Sequence, residues 1–260
     1  MPKIKLVIEF NGARFNGWQA QAGNRSIQAE LERALTLVTR ESPLEVVASG
    51  RTDSGVHARA QVVHVVLANM PDLEKIKVGV SGVLKGEVSV LAAEVVEDSF
   101  HARFSAHWKH YRYTIMNRVS QPTLDRGFVW YVPNTLDIPR MQAAAQSIVG
   151  LHNFKCFQAA GCAAKTTERR IFVSTIRSEP PFLYYDVIGT GFLKQMVRNI
   201  VGSLVEIGKG SAKFGSFAEL IANADRKLAG PTAPAQGLCL IEVGYAPFDS
   251  DMERHAPRGS

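Results

Sequence analysis

The sequence predicts an α+β protein built from two halves of similar plan, and three observations predict it. Short stretches of alternating apolar residues recur along the whole chain. Between them lie segments whose apolar residues step by three and four. Nothing near the middle is a low-complexity linker, so one continuous body of strands and helices is expected. A chain of 260 residues suits one large domain or two of about 100–150 residues. Its 46% apolar content is enough to fill a core.

In the first half, Ile4, Leu6, Ile8 and Phe10 alternate through Lys3–Phe10 and predict a half-buried strand. A turn-rich stretch follows, "NGARFNGWQAQAGNRS". Ser26 then caps a helix carrying Ile27, Leu31, Leu35 and Val38. "LEVVAS" predicts a second strand and "QVVHVVL" (Gln61–Leu67) a third. Leu73, Ile76, Val80 and Val83 predict a helix near Asp72–Leu84, and "VSVLAAEVVE" a fourth strand.

The second half repeats the theme. "HWKHYRYTIMN" reads as a strand. Asp137 and Pro139 open a helix through Met141, Ala145 and Ile148, which Gly150 stops. "RRIFVSTIRS" and "FLYYDVI" read as strands on either side of Glu179-Pro180-Pro181. A long helix is expected over Gly191–Ile207, ended by Gly208. Ser216 and Glu219 form a capping box for one more helix, and "GLCLIEVGY" closes the sheet. The halves are expected to span 1–104 and 105–248. The remaining 249–260, ending "RHAPRGS", reads as an unstructured tail.

Charge and composition narrow the classes of function. Thirty Lys and Arg against 24 Asp and Glu give a net charge of +6, compatible with a polyanionic partner. No run of about 18 apolar residues predicts a membrane span, and the alternating N-terminus does not read as a signal peptide. The three cysteines form no C-x-x-C pair, so reduced thiols in a cytosol are expected rather than zinc or disulfides. No P-loop, dinucleotide fingerprint, H-E-x-x-H or nucleophile elbow occurs. An enzyme of this sequence is expected to work without metal or cofactor.

Four features could carry chemistry. The first is "ASGRTDSGVHARAQ", where Asp53 sits among Arg51, His57 and Arg59 with glycines at 50 and 55. Asp-Ser-Gly after a strand is ordinary turn chemistry. The density of guanidinium groups and glycines also suits a carboxylate held ionised as nucleophile or base. The second is Arg198, on the helix face opposite Leu193, Met196, Val197, Ile200, Leu204 and Ile207. It reads either as a solvated charge or as an arginine in a cleft, with Gly202 leaving room for a neighbouring strand or ligand. The third is "WKHYRY", Trp108–Tyr113, whose interleaved bases and aromatics suit nucleobase stacking or an ordinary strand. The fourth is a scatter of cations near turns (Arg14, Arg25, Lys165, Arg169 and Arg170) that could follow an RNA backbone.

"SGRTDSGVHA" closely resembles the active-site motif of the tRNA pseudouridine synthase A family. "NGARFNGWQAQ", "HYRYTI", "HNFKCFQAAGC", "GFLKQMVRNIVGSLVEIGKG" and "AGPTAPAQGLCLIEVGY" resemble that family in the same order, over nearly the whole chain. The resemblance implies a pseudouridine synthase fold, two α/β halves around a central, mostly antiparallel sheet with a cleft between them. It implies a cytoplasmic homodimer that needs neither cofactor nor metal. Its activity would be isomerisation of uridine to pseudouridine at positions 38, 39 and 40 in the anticodon stem-loop of tRNA. Asp53 matches the family's catalytic aspartate, Tyr111 its active-site tyrosine and Arg198 the arginine that pairs with the aspartate. Arg51 is expected to help fill the space left by the flipped nucleotide. His57, Arg14, Lys165 and Arg169 are expected on the RNA-binding side.

The pattern has departures. Asn11 and Phe15 stand where the family carries Asp and Tyr. Lys194 and Gln195 stand where histidine or aromatic residues are frequent, and Asn153 replaces an Asp. None is an expected catalytic group, so they bear on RNA contacts and site choice. Other expectations weighed against this one are a family member acting on other uridines or RNAs, a non-catalytic RNA-binding protein on the same scaffold, and an Asp-nucleophile hydrolase. The last lacks a second acid.

Overall fold

The computed structural model describes residues 1–21 and 23–249. In chain order its elements are β1 (Lys3–Phe10), α1 (Ile27–Thr39), β2 (Val47–Ala48), β3 (His57–Val66), α2 (Leu73–Val83), β4 (Val88–Val96), β5 (Trp108–Met116), β6 (Trp130–Tyr131), α3 (Ile138–Gln146), β7 (Gly150–Asn153), β8 (Glu168–Glu179), β9 (Phe182–Gly189), α4 (Met196–Gly208), α5 (Phe217–Asn223) and β10 (Leu238–Gly244). They form an α+β protein of two compact units. One is Met1–Ala106 with Cys239–Tyr245; the other is His107–Leu238 with 246–249. The tail expected over 249–260 falls, from residue 250 on, outside the described residues.

In the first unit β1 lies between β3 and β4, antiparallel to both, with Leu6 opposite Val63 and Ala93. β10 adds to β3 in parallel through Cys239 and Leu240. Every second residue of β1 (Ile4, Leu6 and Ile8) is fully buried, as the alternation requires. α1 starts where its cap predicts, with Ser26 Oγ accepting the Ala29 N–H at 3.3 Å, and α2 is capped by Asp72, whose Oδ1 accepts the Lys75 N–H at 3.1 Å. α1 and α2 cross closely: a Cβ on Gly79 would lie 2.9 Å from Val38 Cγ2.

In the second unit β5 pairs antiparallel with β9, β9 with β8, and β8 with β7; β6 runs parallel to the end of β5. α3 packs on β8 and on α4, and α5 packs against residues 155–157. Asp137 Oδ1 caps α3 through the Arg140 N–H, and Ser216 Oγ caps α5 through that of Glu219. Among the described residues no helix is long and apolar enough to cross a membrane.

Several elements differ from the sequence expectation. "LEVVAS" contributes only Val47–Ala48 to the sheet, because the Val46 N–H is taken by Glu32 Oε1 at 3.0 Å. β3 begins at His57 rather than Gln61, since Phe10 and Cys239 supply ladder partners to Ala58 and His57. α4 begins at Met196 rather than Gly191: Gln195 adopts a left-handed φ of +59°, which interrupts the helix. α3 ends at Gln146, while Ile148 stays fully buried beyond it. Gly150, with φ +119°, opens β7, a strand the sequence did not predict.

Candidate active site

The Asp53 turn is fixed from three sides. On its entry side, Gln61 is fully buried and spends its amide on the loop. Its Oε1 accepts the Ser49 hydroxyl at 2.6 Å, and its Nε2 donates to the Gly50 carbonyl at 2.9 Å. Within the turn, the Val56 N–H donates to the Asp53 carbonyl at 3.2 Å while Gly55 takes φ +80°. From outside, the segment 12–18 lies against it. The Trp18 N–H reaches the Thr52 carbonyl at 3.1 Å, and the Ser54 hydroxyl reaches that of Phe15 at 3.1 Å.

Two glycines make that approach possible. A Cβ on Gly12 would lie 2.0 Å from the Val56 carbonyl oxygen. One on Gly17, itself at φ +86°, would lie 2.8 Å from that of Thr52. Asp53 is half-buried at the centre of this construction and Arg51 is exposed. His57 is only 4% exposed, and its Nδ1 accepts the Gly12 N–H at 3.2 Å. That bond places any single imidazole proton on Nε2. His57 therefore fastens the 12–18 segment to the end of the turn.

In the second unit, Tyr111 stands on β5 opposite Val187, 8% exposed, its ring edge-on to Phe192 at 5.2 Å. Its neighbours on the strand serve the fold. Tyr113 is fully buried and donates to the Pro234 carbonyl at 2.7 Å; burial raises its phenol well above the ordinary value. On the other face, His110 Nε2 and Arg112 Nε both meet Asp186 Oδ1, at 2.7 and 2.9 Å. Two of the basic residues interleaved in "WKHYRY", His110 and Arg112, are thus joined to a carboxylate that the sequence reading did not pair with them.

Arg198 is half-buried on a helix whose other residues are buried nearly all round, Gly202 and Val205 included. Its Nε–H donates to the Ala233 carbonyl at 2.8 Å, and the Ala233 N–H returns a bond to the Arg198 carbonyl at 3.1 Å. Gly202 makes the room, as the sequence suggested, and the occupant is a backbone strap. A Cβ there would fall 1.6 Å from the Pro231 oxygen.

The remaining cations divide. Arg14 and Lys165 are exposed, and Arg14 is within 3.4 Å of Glu87. Arg25 is paired with Glu87 and lies 4.7 Å over the ring of Phe15. Arg169 is half-buried, which lowers its pKa, and donates to the Thr166 carbonyl at 3.1 Å; Arg170 is exposed. Two departures from the family pattern have local duties: Asn11 Oδ1 accepts the Ala13 N–H, and Lys194 Nζ donates to the Ala160 carbonyl, both at 3.1 Å. Asp53, Arg51, His57 and Arg14 belong to the first unit; Tyr111, Arg198, Lys165 and Arg169 belong to the second. Two supporting residues escaped the sequence reading, Gln61 and Asn199. Each carries one signal, an amide at the head of an apolar run. Among the described residues no group of His, Cys, Asp or Glu is placed to hold a metal ion.

The family model described as tRNA pseudouridine synthase matches residues 6–105 and 144–246. A tRNA pseudouridine synthase A from Syntrophotalea carbinolica is 43% identical over 249 residues, covering 96% of this chain and 98% of its own. One from Geotalea uraniireducens is 42% identical over 245 residues, covering 94% and 100%. One from Caulobacter sp. is 40% identical over 246 residues, covering 94% and 98%.

Proposed function

Because this chain belongs to the tRNA pseudouridine synthase family, we propose that it isomerises uridine to pseudouridine in tRNA with Asp53 as the catalytic carboxylate. The positions we assign to it are 38, 39 and 40 of the anticodon stem-loop. The observation that carries the reading is the construction of the Asp53 turn. A fully buried glutamine, a buried histidine and two glycines that tolerate no side chain all serve to hold one half-buried acid. An ordinary surface turn needs none of them.

The chemistry asks for such a fixed acid. Uridine leaves the stack so that its glycosidic bond can be reached. The bond between N1 and C1′ breaks, the uracil turns, C5 bonds to C1′, and the C5 proton is lost while N1 regains one. Asp53 starts this either by attacking the nucleotide or by removing a sugar proton. Arg198 partners the carboxylate, and its guanidinium stays charged throughout. Tyr111 stacks on the base while it is detached and is placed in our reading to take up the C5 proton. Exposed Arg51 occupies the space of the flipped nucleotide; Arg14, Lys165 and Arg169 meet phosphates, and His57 acts through the 12–18 segment. The enzyme works as a cytoplasmic homodimer.

The test is tritium release from C5-labelled uridine in unmodified tRNA, wild type beside Asp53→Asn. Release by wild type, mapped to positions 38–40, with a loss of at least about a thousandfold in Asp53→Asn, is the expected result. Release mapped to other uridines would move the substrate. Binding without release from any tRNA would leave an RNA-binding protein.

A further inference from the structure

The strap that grips Arg198 is itself held by the next residue along the helix. Asn199 is fully buried and joins three segments. Its Nδ2 donates to the Phe157 carbonyl at 2.8 Å. Its Oδ1 accepts the Thr232 hydroxyl at 2.7 Å and Arg226 Nη2 at 2.9 Å. Arg226 also donates Nη1 to the Gly230 carbonyl at 2.9 Å and Nη2 to Thr232 Oγ1 at 3.2 Å. The Gly230 N–H reaches Ser203 Oγ at 2.8 Å. Both acceptor positions of the Asn199 amide are used, and one of its two donors.

This network has a direction. Thr232 immediately precedes Ala233, whose carbonyl takes one of the five N–H groups of the Arg198 fork. Taking Nε into that bond constrains the plane of the guanidinium. Glycine meets backbone at both Gly202 and Gly230, so the strap lies close on α4. Side-chain hydrogen bonds of Asn199, Arg226 and Ser203 tie it there.

We propose that Asn199 and Thr232 are positioning residues of the isomerase, acting on the reaction through Arg198 by setting the strap that orients its guanidinium. The inference rests on the proposed function. It adds a second pair of residues to the proposed site.

Thr232→Val removes the hydroxyl at nearly constant volume and at a half-buried position, so it is the primary variant; Thr232→Ser keeps the hydroxyl. Single-turnover tritium release with saturating enzyme, tRNA affinity and urea unfolding are measured for each. Thr232→Val is expected to slow the chemical step about tenfold with tRNA affinity unchanged, and Thr232→Ser to restore it. Added to Arg198→Lys, Thr232→Val is expected to cost nothing further, because the group it orients is already changed. Asn199→Ala is expected to match Thr232→Val in rate per folded molecule and to be less stable. A folded Thr232→Val with the wild-type rate overturns the proposal. So does a full additional loss on top of Arg198→Lys, which would mark a general structural role. Absence of turnover in wild type would instead remove the proposed function itself.

Discussion

Arg198 and Ala233 exchange two hydrogen bonds, the arginine Nε–H to the alanine carbonyl at 2.8 Å and the alanine N–H to the arginine carbonyl at 3.1 Å. The exchange needs a backbone strap lying on α4 with no side chain between them, and Gly202 provides the gap. Gly202→Ala would put a methyl 1.6 Å from the Pro231 oxygen. The strap must lift, at a cost of about 1–3 kcal/mol or more. Urea unfolding is expected to show that loss, and tritium release a drop of at least about tenfold as Arg198 loses its grip. A stable, fully active Gly202→Ala enzyme would contradict the strap.

Gln61 links the sheet to the Asp53 turn. Gln61→Leu leaves the Ser49 hydroxyl and the Gly50 carbonyl without that partner, a cost of about 1–3 kcal/mol for each group that stays buried. Amides of residues 49–56 are expected to exchange faster with solvent, and turnover to fall with them. Unchanged exchange in that segment would assign the fixing of the turn to the 12–18 contacts instead.

Asp186 separates stability from catalysis. Burial raises its pKa, but hydrogen bonds from His110 and Arg112 and their charges outweigh it and hold the carboxyl below its ordinary 3.8. A depressed folded pKa contributes stability that is full above the unfolded value and is lost as pH falls through the folded one. At neutral pH the contribution is complete. Asp186→Asn, which leaves a buried histidine and an arginine without their acid, is expected to cost about 3–5 kcal/mol. Turnover per folded molecule is expected to stay near wild type; a selective loss of rate would draw this cluster into the mechanism.

His64 makes stability depend on mild acid. Burial, then the charges of His101 and Lys3, bring its pKa down from 6.5 to about 4. Below pH 6.5 the unfolded chain takes up a proton that the folded chain refuses. The fold therefore loses up to about 1.4 kcal/mol per pH unit until the folded value is reached. His64→Asn keeps an acceptor for the Ala102 N–H, which His64 Nδ1 accepts at 3.1 Å, and removes the titration. Urea midpoints between about pH 5 and 7 are expected to fall less steeply for the variant. Parallel slopes would place the titration elsewhere.

The candidate site was legible in uneven measure. Asp53 stood out because two glycines and two arginines crowd one acid, and Gly202 because a glycine inside a helix implies a close approach. The strap that fills that approach lies about thirty residues further along, beyond the reach of any local pattern. His57 was expected on the RNA-binding side, and nothing local in the sequence shows that its ring is buried against Gly12, 45 residues away. His110 and Arg112 read either as charges for phosphates or as part of an ordinary strand, until β9 placed Asp186 opposite Arg112 and within reach of His110.

By itself the sequence determined the α+β class and most of the helices, because periodicity, capping and turn chemistry act over a few residues. Only the tertiary structure decided where β3 and α4 begin, which cations are joined to carboxylates and what steers Arg198. Those features depend on hydrogen bonds between segments far apart in the chain, and a backbone carbonyl such as that of Ala233 carries no signature in the residue type that bears it.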